Sequence, residues 1–559
     1  MRIQSLVIFL ALFSLSDSIK LECIDITSNM FKILKLLPPS NGPVTRCYNL
    51  KLITKKLAPD GYTRLVRTVN GQYPAPIIQA NYGDRLLINV INELGEFSTL
   101  HWHGIFQTGT NFYDGVPGVT QCPIPNHGNF TYNFTVNQYG TFWYHSHFSG
   151  QLVDGLKGPL IIHNHKDPYL KTYDFEYVVT LSEWYHLQAN DIESILLSPS
   201  YRGGDPIPSS GEISGKGQYN CAFASKNSLC NPNNGVAKYI VKKGKKYRFR
   251  IINMSGSTHY IFSIDEHPLT LIEVDGHLIK EVTIKTIPIN TAQRYSVILN
   301  ANKPVKNYYI RAKLTVCTPF NNQTLNYNYT LNPNVVGILK YDGAKDKTPD
   351  SKAYPLNKSE ECRDLNPNIL KPYKLKPPKH ATHKIDLVIS FKKLSTTGSL
   401  AFINNLSFVA DFNYPTNQKI INKLNVNKFQ NAYAYDCYTK DCKNEAVDIY
   451  IRINHTHSHP FHLHGHSFFV MYNGENQTGI EPPDPSDFNL IDPVYRDIVT
   501  VLGNSTTVIR YPIDNPGVWF MHCHMHWHSV KGMATQLIER KSIITNMSVP
   551  ENLFANCAS

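Results

Sequence analysis

One strand pattern occurs three times in the chain: "GDRLLINVINE" at 83–93, "GKKYRFRIINMS" at 244–255 and "EAVDIYIRINHT" at 445–456. In each copy apolar and polar residues alternate, and the run reaches an Asn, at positions 92, 253 and 454. Alternation with period two is the pattern of a half-buried β-strand, and self-similarity along a chain means one architecture used repeatedly. A second element recurs with it. "FTVNQYGTFWYHSH" (134–147) and "YPIDNPGVWFMHCH" (511–524) each run a strand into a Gly-containing turn, then an aromatic-rich strand ending in His-x-His. The middle copy, "YSVILNANKPVKNYYIRA" (295–312), keeps the outline without the histidines. A chain of 559 residues built this way is expected to be all-β, with three consecutive antiparallel sandwiches. The expected domains are 45–165, 170–345 and 385–559, with an N-terminal extension at 19–44 and a Lys/Pro-rich linker at 346–384.

Histidine placement carries the chemistry. Four His-x-His units are present: His101/His103, His145/His147, His462/His464 and His522/His524. On a strand, residues i and i+2 face the same side, so each pair offers two imidazoles to one point. A single pair would mean little. Eight imidazoles, placed equivalently in the first and third repeats, are too many for one four-coordinate zinc. They suit a cluster of about three metals, and imidazole-rich redox sites point to copper. The middle repeat serves as a spacer.

The same parity turns Cys523 away from His522 and His524, toward a separate metal. His459 lies an odd number of positions before His462 and His464, and His528 and Met533 follow Cys523 by five and ten. Cys523, His459 and His528 with a weak axial Met533 form the His₂Cys set of a blue-copper electron-transfer site. Cys523 then joins the two metal sites through its own neighbours in the chain.

The surroundings fit export. Arg2, the largely apolar "LVIFLALFSL" and "SDS" at 16–18 read as a signal peptide at 1–18, cleaved near Ser18. The run is too short to span a bilayer, and no later stretch is long or apolar enough. Of eleven cysteines, ten remain for disulfides if Cys523 is a ligand; Cys221 with Cys230 and Cys437 with Cys442 are close enough to be local pairs. Asn129, Asn133, Asn322, Asn328, Asn405, Asn476 and Asn504 each open an N-x-[ST] sequon. The net charge of +12 is read as a solvated secreted surface rather than a nucleic-acid face. A soluble, secreted, extracellular protein with no membrane span is expected, with cell-wall association open.

The motifs "HWHG", "HSH", "HPFHLHGH" and "HCHMHWHSVKGM" resemble the four copper-binding signatures of the multicopper oxidases, a family of laccases, ascorbate oxidases and fungal ferroxidases. "DGVPGVTQCPI" and "DNPGVW" extend the likeness over nearly the whole mature chain. The resemblance implies three cupredoxin domains and four copper ions. His101 and His462 would hold the type 2 copper; His103, His145, His147, His464, His522 and His524 the type 3 pair; and Cys523, His459 and His528 type 1. It also implies Cys122–Cys557 and Cys221–Cys230 disulfides. His455, His457 and His466 are read as neighbours of the ligands rather than ligands. Asp114, in "YDGVP", matches an acid that the family keeps beside the cluster. His526 stands where the family usually carries a proton-delivering Asp or Glu, and the expectation is an active enzyme with a shifted pH profile.

The implied reaction couples one-electron oxidation of a small donor to four-electron reduction of O2. Fungal-laccase-like "FYDGVPGVTQCPIP" favours a phenolic donor. Glu183, in "LSEWYH", matches a position where iron-oxidising relatives bind Fe²⁺ and makes ferroxidase the second reading. Axial Met533 and "GKGQYNC" make ascorbate oxidase the third. A non-catalytic copper-binding protein is the alternative of another class, weakened because no ligand is missing.

Overall fold

A computed structural model describes residues 23–558, apart from 27–28, 41, 202, 318–330, 395–397, 425–430, 440–441, 443 and 475–478. The signal-like residues 1–18 and the sequons at Asn322, Asn328 and Asn476 lie outside the described residues. Asn129, Asn405 and Asn504 are exposed, and Asn133 is partly so.

Six sheets pair into three sandwiches along the chain. The first has sheets of five and four strands, the second seven and five, the third six and five. The repeated strands occupy equivalent places as Arg85–Glu93, Lys246–Asn253 and Glu445–Ile453. Each pairs in parallel with a strand far back in sequence: Thr45–Leu57, Phe175–Trp184 and His380–Leu394 respectively. That corrects the expectation of purely antiparallel sandwiches. Crossing from one sheet to the other brings the chain back alongside its own start in the same direction. His380–Leu394 also draws residues 380–384 of the linker into the third sandwich.

The repeated Asn has a structural task. Asn92 Nδ2 donates to the carbonyls of Glu96 and Ile124, and its Oδ1 accepts from Leu94 N. Asn253 does the same with Thr258 O, Ile289 O and Ser255 N. Each closes the loop after its strand. The third copy, Asn454, is exposed. There the chain goes on to His459 instead.

The elements that position the histidines are β1 (Leu100–His103), β2 (Gly140–Ser146), α1 (Ala189–Leu196), β3 (His459–Leu463), β4 (Gly517–Cys523), α2 (His526–Ser529) and β5 (Ala534–Glu539). β1, β2, β3 and β4 are buried along their whole length, as their apolar and aromatic residues require. Both ends of the described chain are fastened: Ile24–Asp25 pairs with Tyr48 and Asn49, a disulfide joins Cys23 to Cys47, and Cys557 bonds the buried Cys122. Disulfides also join Cys221–Cys230, Cys317–Cys362 and Cys437–Cys442, leaving Cys523 free and buried.

Candidate metal centre

Register brings the histidines together. Antiparallel pairing of β1 with β2 sets His101 opposite His145, and pairing of β3 with β4 sets His462 opposite His522. The two strand pairs meet across the boundary between the first and third sandwiches. The rings of His103 and His462 stack at 3.8 Å, those of His101 and His464 lie 3.9 Å apart, and His464 Nε2 is 3.3 Å from His522 Nε2. His147, His464 and His522 form one group of converging ligand atoms. His103, His145 and His524 surround a neighbouring point, with ring centroids 5.0 to 5.9 Å apart.

Tight glycines make this approach possible. Gly104, after His103, has φ +88°, and a Cβ there would lie 2.6 Å from an Arg294 nitrogen. Gly465, after His464, has φ +68°, and its Cβ would strike the Trp519 ring at 2.2 Å. Only glycine adopts both backbones without strain.

The donor set fits metal. Nε2 of His101, His145 and His462, and both ring nitrogens of His103 and His524, are buried without a hydrogen-bond partner. Each such orphan costs about 1–3 kcal/mol unless something binds it. Burial first, and neighbouring imidazoles second, hold His103, His462, His464 and His524 well below the usual histidine range. They are neutral, as ligands must be. Opposite ring atoms are tied down: His101 Nδ1 donates to Asp114 O at 2.7 Å, His464 Nδ1 to Asp114 Oδ2 at 2.8 Å, and His462 Nδ1 to Asp497 O at 2.8 Å. Such bonds fix the tautomer that presents Nε2 to a metal.

Cys523 faces the other way, as strand parity requires. His459 Nδ1 and His528 Nδ1 are 3.0 Å apart, and Cys523 Sγ lies 3.5 and 3.6 Å from them. This compact triangle has the chemistry of a His₂Cys copper site. Met533 is fully buried; its carbonyl accepts from Cys523 N and its N–H donates to His528 O, both at 3.1 Å. His528 Nε2 donates to Asp205 Oδ2 at 2.6 Å, and Lys531 Nζ donates to Asp205 Oδ1 at 3.1 Å.

Two expected residues have neighbours that the sequence did not reveal. His526 Nε2 contacts Glu193 Oε1 of α1 at 2.7 Å, and Ser149 Oγ donates to Glu193 Oε2. These side chains line a cavity of about 470 Å³ that reaches His145, His147, His522 and His524. Glu183 lies near the end of the buried strand Phe175–Trp184. It is fully buried, accepting from Gly256 N at 2.7 Å and Thr258 Oγ1 at 2.9 Å. Its carboxylate is consumed in shaping the turn whose Gly256 carbonyl receives His526 N–H. Both Glu183 oxygens are thus engaged by the protein's own donors. His466 is engaged by Glu539 Oε2 at 3.1 Å, and His455 packs 4.9 Å from the His459 ring.

Sequence reasoning did not find Asp205, Asp497, Glu193 or Arg294. Arg294, in the ligand-free middle sandwich, grips Asp497 with two 2.6 Å hydrogen bonds. None of the four belongs to a spaced motif; "RD" at 496–497, next to a strand, was the one local signal.

Comparison with known proteins agrees with this geometry. The fold resembles a laccase from Botrytis aclada (TM-score 0.81, 35% identity, 93% of this chain and 92% of that one). It also resembles Fet3p, a multicopper oxidase that functions in iron import (TM-score 0.78, 29% identity, 93% and 95%). In sequence the chain is 35% identical to Laccase-2 of Agaricus bisporus, over 94% of this chain and 95% of that protein. It is 33% identical to an iron transport multicopper oxidase of Gibberella zeae, over 94% and 81%. Residues 52–167, 175–344 and 407–542 each match a family profile described as multicopper oxidase, and the chain belongs to that family.

Proposed function

We propose that this laccase-like copper oxidoreductase takes single electrons from phenolic donors at the Cys523 site and delivers them to dioxygen at the histidine cluster. His459, Cys523 and His528, with Met533 beside them, would hold the type 1 ion. His101 and His462 would hold type 2. His103, His145 and His524 would hold one type 3 ion, and His147, His464 and His522 the other. Bound copper supplies one-electron acceptance at the thiolate site and four-electron reduction of O2 to water at the cluster.

The chain's own residues do the positioning. His528 is fixed by Asp205, leaving Nδ1 toward Cys523. Cys523 lies between His522 and His524, and its carbonyl accepts from His522 Nδ1 at 3.0 Å, so the electron route between the sites is short and covalent. Asp114 orients one histidine from each outer sandwich. At the cavity mouth, His526 and Glu193 together place a hydrogen-bonded acid near the cluster, although the family's acidic position holds imidazole. Proton delivery to the cluster through this pair is the role assigned to His526.

The observation that favours a neutral phenol over Fe²⁺ is Asp205. It is the carboxylate that touches the type 1 histidine, both its oxygens are engaged, and the Lys531 ammonium sits 3.1 Å from it. With both oxygens spent on His528 and Lys531, Asp205 offers no free carboxylate oxygen to Fe²⁺. Ferroxidase activity is the second reading, supported by the likeness to iron-transport relatives; ascorbate oxidation is third. Secretion belongs to the proposal, supported by five disulfides and exposed sequons; cell-wall contact is an open part of it. Among the described residues no helix is long and apolar enough to cross a membrane. Oxygen uptake by copper-loaded protein, offered a phenol, Fe²⁺ and ascorbate separately, tests the order; Fe²⁺ as the fastest donor would replace the laccase reading.

A further inference from the structure

A second cavity, remote in composition from the copper chemistry, lies where all three sandwiches meet. It measures about 540 Å³, within the range of small-molecule sites. Its walls are aromatic and its charge is of one sign. Tyr139 comes from the first sandwich, Phe469 and Tyr495 from the third, and Lys166, Lys374 and Lys376 from the segments between. None of the lining residues is acidic. Three carboxylates near the cleft have partners of their own: Asp167 with Arg248 at 3.0 Å, Asp492 with Lys371 at 2.8 Å and Asp514 with Lys379 at 3.8 Å.

The aromatic wall is preorganised. Tyr495 packs against Phe469 and against His277, each at 4.6 Å between ring centroids, and Lys376 Nζ lies 5.2 Å above the Tyr495 ring. His277 is itself held by a 2.7 Å contact between its Nε2 and Ser467 Oγ. Burial pushes that imidazole down to about 4, so it is neutral and adds no charge. Flat rings for stacking beside ammonium groups, in a lining with no acidic residue, match a planar ligand with an anionic edge. A neutral sugar would leave the lysines idle. A metal cation would be repelled.

We propose that this cleft binds a planar aromatic carboxylate, at a site separate from the type 1 edge and independent of electron transfer. The ring would lie along Tyr495 and Tyr139, and the carboxylate would face Lys374 and Lys376.

The test uses copper-loaded full-length protein and 2-naphthoate, chosen because it lacks a phenolic hydroxyl. Titration calorimetry should show one saturable site. Lys374 and Lys376 are exposed, so Lys374→Gln/Lys376→Gln leaves folding intact; it should weaken binding about tenfold, as should replacing the probe by neutral 2-naphthalenemethanol. Asp205→Asn, at the type 1 edge, should leave the affinity unchanged. No saturable binding, equal affinity in the lysine variant, or loss of binding in Asp205→Asn would each overturn the proposal.

Discussion

Replacing Arg294 by Met removes the clamp through which the ligand-free middle sandwich reaches the cluster. Arg294 is fully buried, and its guanidinium donates to both Asp497 oxygens at 2.6 Å, to Thr141 O at 3.1 Å and to Ala292 O at 3.2 Å. Asp275, 3.8 Å away, keeps Arg496 as partner, but among the described residues Asp497 has no comparable replacement cation in contact. Removing one partner of a buried pair leaves an uncompensated charge and costs about 3–5 kcal/mol. The damage should be transmitted, because the Asp497 carbonyl holds His462 and its carboxylate lies 3.6 Å from His103 Nε2. Urea unfolding of the metal-free protein, followed by tryptophan fluorescence, should register the loss, and copper analysis should show depletion at the type 2 position. Arg294→Met/Asp497→Leu removes both charges and should recover most of the stability. A single variant losing less than about 1 kcal/mol, or a double variant as unstable as the single, would refute the account of an uncompensated charge.

Three further outcomes follow from named groups. Glu183→Gln should lower stability by about 1–3 kcal/mol, by weakening the 256–258 turn, while leaving the ratio of Fe²⁺ to phenol turnover unchanged. A selective loss of Fe²⁺ oxidation would instead assign Glu183 to iron binding. His526→Glu should shift the pH dependence of oxygen consumption, and an unchanged profile would remove His526 from proton delivery. Burial, with Asp60 adding to it, lifts the Glu212 carboxyl to about 8, well above its unfolded value. A raised folded value means that its stabilising contribution is full below about pH 4.5 and is lost as pH rises through about 8. Glu212→Gln should therefore flatten the decline in stability between those limits, measured by denaturation at several pH values; a parallel decline in the variant would contradict this.

Much of the metal centre was legible because strand parity is a local rule. His522 and His524 face one way and Cys523 the other whatever the rest of the chain does, and the repeat said which strands were equivalent. Pairing direction was not legible: a strand such as Thr45–Leu57 carries the same alternation whether its neighbour runs parallel or antiparallel. The surroundings of Glu183 were hidden for a related reason. The turn at 256–258, more than seventy residues on, shows where its oxygens are spent. Asp205, Glu193 and Arg294 were missed because each reaches the site from a different part of the chain, through a contact that no spacing encodes.

The most direct test of the central claim is a copper count on purified wild-type protein and on Cys523→Ser, with a visible spectrum of each. Family members bind four copper ions, and wild-type protein should hold that number, with an intense blue thiolate-to-copper band. The variant should lose the band and one ion, keeping the cluster. A colourless wild type, or a variant that keeps the band or loses all its copper, would contradict the assignment of two separate sites joined through Cys523.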